Sequence, residues 1–306
     1  MVLNKKIYTL IFVVIIGCKA NTQVVEKSIK NQPLKIASYY FGVEKLPVAQ
    51  QISTLKNLKM DAIMVDITEK NIDSLDKYYQ TDEVKSGQFH LYDIWTSVSV
   101  NDEAKLTFQL KTVETIYQKI QNKETQLQVI FGGQSTAENI TRIMSSVADI
   151  AKKYNKNLVI YPHFGNTIAT TEQALVYLKA VNKPNVFIAM HLCHELRAGY
   201  GNRIEEVVSN VAPYIKAVSI SGASEAERLN DALPNWFFGI KPLFMGDYNL
   251  LPYYTAVMKT GYTGPITIHT WGIDRNFNLT PAENLPKSKD VLLNLNSKYL
   301  ENLIKK

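Results

Sequence analysis

Residues 157–192 read NLVIYPHFGNTIATTEQALVYLKAVNKPNVFIAMHL. Two short apolar runs, NLVIYPH (157–163) and NVFIAMHL (185–192), enclose TEQALVYLKAV (171–181). In the middle segment apolar residues recur three and four apart, the repeat of one helical face. Thr170 and Thr171 stand at its front, where a hydroxyl can take up a free backbone N–H. The flanking runs are apolar at nearly every position instead of every second one. That pattern means burial on both faces, as in a strand inside a parallel sheet.

The same rhythm runs through the chain. LKIASYYF (34–41), DAIMVDI (61–67), FHLYDIWTSVSV (89–100) and LQVIFGG (127–133) precede this stretch, and IKAVSIS (215–221) and PITIHT (265–270) follow it. LTFQLKTVETIYQKIQN (106–122) and AENITRIMSSVADIAKKYN (137–155) have helical spacing. Eight strands alternating with helices over residues 35–303 predict a (β/α)8 TIM barrel in one domain. An open doubly wound sheet is the competing architecture. It gains no support, because no GxGxxG follows the first strand and no GxxxxGK[ST] occurs.

The N-terminus reads MVLNKKIYTLIFVVIIGCKANTQ. Lys5 and Lys6 precede an apolar run from Ile7 to Ile16, too short for a membrane span of about 20 residues. A basic front and apolar middle are the pattern of a secretory signal. Ile15-Ile16-Gly17-Cys18 resembles the lipobox of a bacterial lipoprotein, in which Cys18 becomes the acylated first residue. An uncleaved anchor ending in cysteine is the alternative. Residues 1–18 are thus expected to be signal and lipidation site, and the polar residues 19–34 a tether. The protein is expected outside the cytoplasm, lipid-anchored to a bacterial membrane. Cys193 is then the remaining cysteine, so no intrachain disulfide is expected. Loss of Lys5 and Lys6 lowers the formal charge from +6 to +4. That is ordinary surface charge, and with no basic block interleaved with aromatics no nucleic-acid partner is expected. The oligomeric state stays open.

Chemistry concentrates on histidine. His163 closes the fifth strand run, His191 and His194 surround the end of the sixth, and His269 lies near the end of the eighth. Barrel active sites lie at the C-terminal ends of strands, so these four are expected at one mouth. His90, at the start of the third strand, is expected at the other end. His163, His194 and His269 form the simplest metal triad for a divalent transition ion such as Mn, Zn, Co or Ni. His191 and His194 would face opposite ways in a continuing strand, so both can ligate only if the chain turns after Leu192. Cys193 as a nucleophile beside them is a weaker reading, because free cysteines are usually buried small hydrophobes.

VIYPHFGN (159–166), HLCHELRAG (191–199), APYIKAVSISGA (212–223) and KPLFMGDYNLLPYYTAVMKTGYTGPITIH (241–269) resemble the sugar phosphate isomerase/epimerase-like family of xylose-isomerase-type TIM barrels, in its secreted lipoprotein branch. The family includes isomerases, epimerases, dehydratases and abasic-site endonucleases, and some secreted members cleave 3-keto-glycosides by elimination. In its ketose epimerases carboxylates and histidines hold a divalent metal. The resemblance lays the fifth-strand glutamate near His163 and the sixth-strand Asp-x-x-His pair on His191 and His194. It lays the seventh-strand histidine near Ser219 or Ser221 and the eighth-strand glutamate on or beside His269. Residue type is kept at His194 alone. The two glutamates that move the proton in those enzymes are therefore absent from their places, and a nuclease centre lacks its carboxylates.

The resemblance implies proton abstraction beside a carbonyl, through a metal-stabilised enediolate, on a small unphosphorylated carbohydrate. Reprotonation gives an isomer or epimer; expulsion of a neighbouring alkoxide gives a lyase. His191 is the expected base, with Glu195 and Lys241 as further catalytic groups. Asn166, Arg197, Asp66 and Asp93 are expected to bind substrate hydroxyls. Trp236 and Trp271, with Phe237, would offer apolar faces to a sugar ring. Asp66 serves equally as a helix cap. The rival is a non-catalytic carbohydrate-binding lipoprotein on a degenerate barrel, which the fold by itself does not exclude.

Overall fold

A computed structural model describes residues 33–227 and 236–305. Eight parallel strands close into a barrel in chain order. They are β1 (Ile36–Tyr39), β2 (Ala62–Asp66), β3 (His90–Ser99), β4 (Gln126–Gly132), β5 (Leu158–Ile160), β6 (Val186–His191), β7 (Ile215–Ile220) and β8 (Ile266–Ile268). Ala37 pairs with both Ala62 and Thr267, which closes the ring. The register shifts between Ile63 and Met64 and between Ile188 and Ala189. The barrel expected from the sequence is thus the observed fold.

The return helices are α1 (Val48–Asn57), α4 (Glu103–Ile120), α5 (Ala137–Lys153), α6 (Thr171–Val181), α8 (Ile204–Val211), α9 (Leu251–Lys259) and α11 (Pro281–Ile304). Shorter α2 (Ser74–Gln80), α3 (Asp82–Lys85), α7 (Leu192–Arg197) and α10 (Ile273–Phe277) fill the connections. α5 buries Ile140, Ile143, Met144, Val147, Ala148 and Ala151, steps of three and one that trace a single face. Truncating Ile143 to alanine there costs about 2–5 kcal/mol. Asp102, Thr136 and Thr170 cap α4, α5 and α6 by accepting from Lys105 N, Asn139 N and Gln173 N. Most of the core lies between barrel and helices. Inside the barrel a small layer, Val159, Ala189 and Ala217, lies below a larger one of Tyr39, Met64, Ile130 and Tyr161. That small layer leaves room above it for side chains at the mouth.

Three strand ends differ from the sequence reading, and the differences place the histidines. β5 stops at Ile160, so His163 belongs to the following loop. β8 stops at Ile268, one residue before His269. β6 ends on His191 and α7 begins at Leu192, so the chain turns one residue earlier than His191/His194 co-ligation was expected to need. His90 lies at the opposite end, 3.6 Å from the Glu124 carboxylate. Cys18, the signal and residues 19–32 of the tether lie outside the described residues. Among the described residues no helix is long and apolar enough to cross a membrane.

Candidate active site

A cavity of ≈ 240 Å³ opens at the C-terminal ends of the strands. His163, His194 and His269 line it together with Tyr39, Phe41, Trp95, Tyr161, Trp236 and Trp271. Ile130 and Ile240 line it too, and among the described residues no carboxylate, lysine or arginine does. The His163 and His194 rings lie 4.3 Å apart, and His194 meets Trp236 edge-on at 4.9 Å. His269 lies against Tyr39 at 4.2 Å. Trp236 adopts φ 67°, left-handed backbone that costs a bulky residue about 1–3 kcal/mol. Gly239 N and Ile240 N hold it there by donating to its carbonyl.

The backbone around each imidazole selects its tautomer. The Phe164 N–H can only donate, and its acceptor is His194 Nδ1 at 3.3 Å, so the His194 proton sits on Nε2. The Trp271 N–H donates likewise to His269 Nδ1 at 3.4 Å, again leaving the proton on Nε2. His163 is the opposite case. Its Nδ1 lies 3.0 Å from the Phe164 carbonyl, which can only accept, so Nδ1 carries the proton and Nε2 the lone pair. Asn166 is 3.0 Å from the same nitrogen and can present either end of its amide. Burial lowers the pKa of all three rings, that of His269 to about 3, so all are neutral near pH 7.

This donor set does not fit the expected three-histidine metal centre. A ligating imidazole donates its remote N–H to a carbonyl or carboxylate and turns its lone pair to the metal. His163 meets that condition; His194 and His269 face backbone donors and point N–H groups the other way. Among the described residues, no group of three or more His, Cys, Asp or Glu side chains is arranged to hold a metal ion. His194 Nε2 is buried without a hydrogen-bond partner. It is an unsatisfied donor.

His191 lies beneath the cavity floor, 2% exposed and stacked under Tyr161 at 3.8 Å. Its Nε2 donates to Gln128 Oε1 at 2.9 Å, and its Nδ1 lies 2.7 Å from Ser219 Oγ and 3.3 Å from the Tyr39 hydroxyl. Both nitrogens are engaged, so the expected base is a strut under the two phenols, whose hydroxyls meet at 3.0 Å. Burial raises both phenol pKa values, so they stay protonated. Asp93 is also buried, 1% exposed, with neither oxygen in a hydrogen bond. Burial pushes its carboxyl up to about 7, weakly opposed by the Gln128 side chain.

The other expected site residues stand apart from the cavity wall. Glu195 is fully buried, accepts from the Thr171 N–H at 2.8 Å and so ties α7 to the start of α6. Burial raises its carboxyl to about 7. The Lys241 ammonium pairs with Glu227 at 2.8 Å and lies over the Phe237 ring at 4.2 Å. Arg197 lies over Phe164 and Phe238 at 5.8 and 5.3 Å. Asp66 lies beside the Tyr40 side chain, and Asp73, not Asp66, stands at the N-cap position of the helix after it, with no side-chain cap bond. The buried Cys193 thiol is pushed up to about 12, which removes it as a nucleophile.

Sequence reasoning found five cavity residues, His163, His194, His269, Trp236 and Trp271. It missed Tyr39, Phe41, Trp95 and Tyr161 because the search at strand ends followed titratable groups near neutrality. The signal was present: Tyr39 ends β1, and Tyr161 directly follows β5.

Comparison with known proteins agrees with the architecture. Over 90% of its length the chain resembles a solved xylose isomerase-like TIM barrel/4-hydroxyphenylpyruvate dioxygenase fusion protein, with 12% identity and TM-score 0.68, and spans 44% of that protein. A D-tagatose 3-epimerase-like protein matches 88% of this chain over its own full length, with 17% identity and TM-score 0.65. An IOLI protein with a bound zinc atom matches 87% of this chain and 99% of its own, with 16% identity and TM-score 0.66. At such identities the likeness is one of fold. No curated protein sequence is significantly similar to the chain. The family model described as xylose isomerase-like TIM barrel matches residues 109–295, more than half of the sequence, and the chain belongs to that family.

Proposed function

We propose that the protein is an enzyme of the sugar isomerase/epimerase type that acts on an unphosphorylated carbohydrate by taking a proton from the carbon next to a carbonyl. One observation carries the reading: a histidine with a bare Nε2 shares an aromatic-walled cavity with two histidines whose Nε2 atoms carry protons. His163 takes the carbon-bound proton on Nε2, while its Nδ1–H stays on the Phe164 carbonyl. The His194 and His269 N–H groups donate to the oxygen on which charge develops, from an aromatic-walled cavity. Trp236 and Trp271 offer flat faces to a sugar ring. Among the described residues the lining is uncharged, which supports a substrate without phosphate. No step is assigned to a metal.

Return of the proton from His163 to the neighbouring carbon gives an isomer; delivery of a proton from a second donor on the opposite face gives an epimer. Loss of a neighbouring alkoxide from the same enediolate gives a lyase acting on 3-keto-glycosides. That no described residue places a carboxylate in the cavity favours a second reading, a non-catalytic sugar-binding protein. Either would work outside the cytoplasm, held by lipid at Cys18.

The test is proton exchange in D2O, followed by NMR on unphosphorylated ketoses and 3-keto-glycosides. Exchange precedes both isomerisation and elimination, so it reads the shared step. His163→Gln should lower the exchange rate by about 10²–10⁴-fold with binding retained. Unchanged exchange in that variant would refute the assignment of the base. Saturable binding without exchange by the unaltered protein would favour the binding reading.

A further inference from the structure

The pole opposite the cavity carries a second concavity of ≈ 460 Å³, lined by Lys35, Lys123, Lys156 and Lys216 around Tyr92, with Glu124 as its one carboxylate. These lysines come from four separate places: the entry to β1, the loops before β4 and β5, and the second residue of β7. Three of them are held in place. Lys156 donates to the Lys123 and Thr125 carbonyls, Lys216 lies over the Phe187 ring at 4.8 Å, and Lys123 over the Tyr79 ring at 5.0 Å. Among the described residues none of the four is in an ion pair.

Five of the return helices add to this charge. They run antiparallel to the strands, so their C-terminal ends gather here, and Lys56, Lys119, Lys152, Lys153, Lys179 and Lys259 lie in last turns. Glu103, Glu138, Glu172 and Glu283 lie in first turns at the mouth. Complementing helix dipoles accounts for the last-turn lysines, some of which are paired, as Lys119 is with Asp76 and Lys153 with Glu114. It does not account for Lys35 and Lys216, which belong to no helix.

The same pole receives the N-terminal segment. Residues 19–34 join the barrel at Lys35, on the rim of this concavity, and even fully extended they reach no more than about 55 Å. We propose that this basic end of the barrel docks on anionic lipid headgroups, so that the cavity mouth faces away from the membrane. The charge stands independently of the lipobox reading; the short leash rests on it. At an anionic surface each such lysine strengthens association about fivefold, and added salt weakens it.

The test uses the full-length protein with vesicles of phosphatidylcholine, alone or with an equal share of phosphatidylglycerol. A water-soluble amine-acylating reagent then labels exposed lysines, read by mass spectrometry. Vesicles containing phosphatidylglycerol should protect Lys35, Lys123 and Lys216, whereas Lys45, Lys70 and Lys105 near the mouth label equally with both. The double variant Lys35→Gln/Lys123→Gln changes two exposed side chains and should melt like the parent, yet bind such vesicles about 25-fold more weakly. Equal labelling of the polar lysines with both vesicle types overturns the proposal, as does full protection of Lys216 in the double variant. Flotation with phosphatidylcholine vesicles reads the lipid anchor separately, so failure of the anchor and failure of docking are distinguishable.

Discussion

Asp93→Asn should gain stability relative to the parent protein as the pH rises from 4.5 to 8. Asp93 is a carboxyl buried in the barrel with no hydrogen-bond partner, and its pKa rises from 3.8 to about 7 in the folded protein. Between those values the unfolded chain gives up a proton that the folded chain keeps. Stability therefore falls as pH rises from about 4, and the loss levels off above about 7. A shift of about 3 units corresponds to roughly 4 kcal/mol. Asparagine has nearly the same shape and no such titration. Its extra donor costs about 1–3 kcal/mol if unpaired, a cost common to both pH values. The quantity to measure is the change in the mutant-minus-parent difference between pH 4.5 and pH 8, from urea unfolding at each. Thermal melts should show it as roughly 8 °C. Parallel stability curves for the two proteins would refute the reasoning and mean that Asp93 is charged and solvated in the fold.

Two further outcomes follow from the site. His191→Ala should destabilise by about 2–5 kcal/mol, because it opens a space under Tyr161 and leaves Gln128 and Ser219 without their partner; His163→Ala, half-buried at the mouth, should cost far less. Equal melting temperatures for the two variants would mean that His191 is not the strut described. Protein purified without a histidine tag should hold well under one equivalent of Mn, Zn, Co or Ni, and chelator treatment should leave keto-sugar proton exchange unchanged. One equivalent of such a metal, lost in His194→Ala, would overturn the tautomers assigned to His194 and His269.

The sequence by itself determined the barrel. Strand runs apolar at nearly every position need cover on both faces, helices with one apolar face supply it, and eight such alternations close a ring. It also placed titratable residues at one end, since a residue at the close of a parallel strand points to the same rim in every unit. α6 spans Thr171–Val181 as its spacing predicts, with Thr170 as the cap. What a strand-end position does not carry is depth or pairing. His191 and His194 lie three residues apart, yet one is hydrogen-bonded under the floor by Gln128 and Ser219, and the other lines the cavity. Those partners come from β4 and β7, 63 and 28 residues away, and the register of the closed barrel sets which of them meet. The tautomers of His163, His194 and His269 depend likewise on whether a backbone N–H or a carbonyl faces each ring. Tertiary structure alone decided that, because the direction of a backbone dipole in a loop follows from how its strand ends are held and not from residue type.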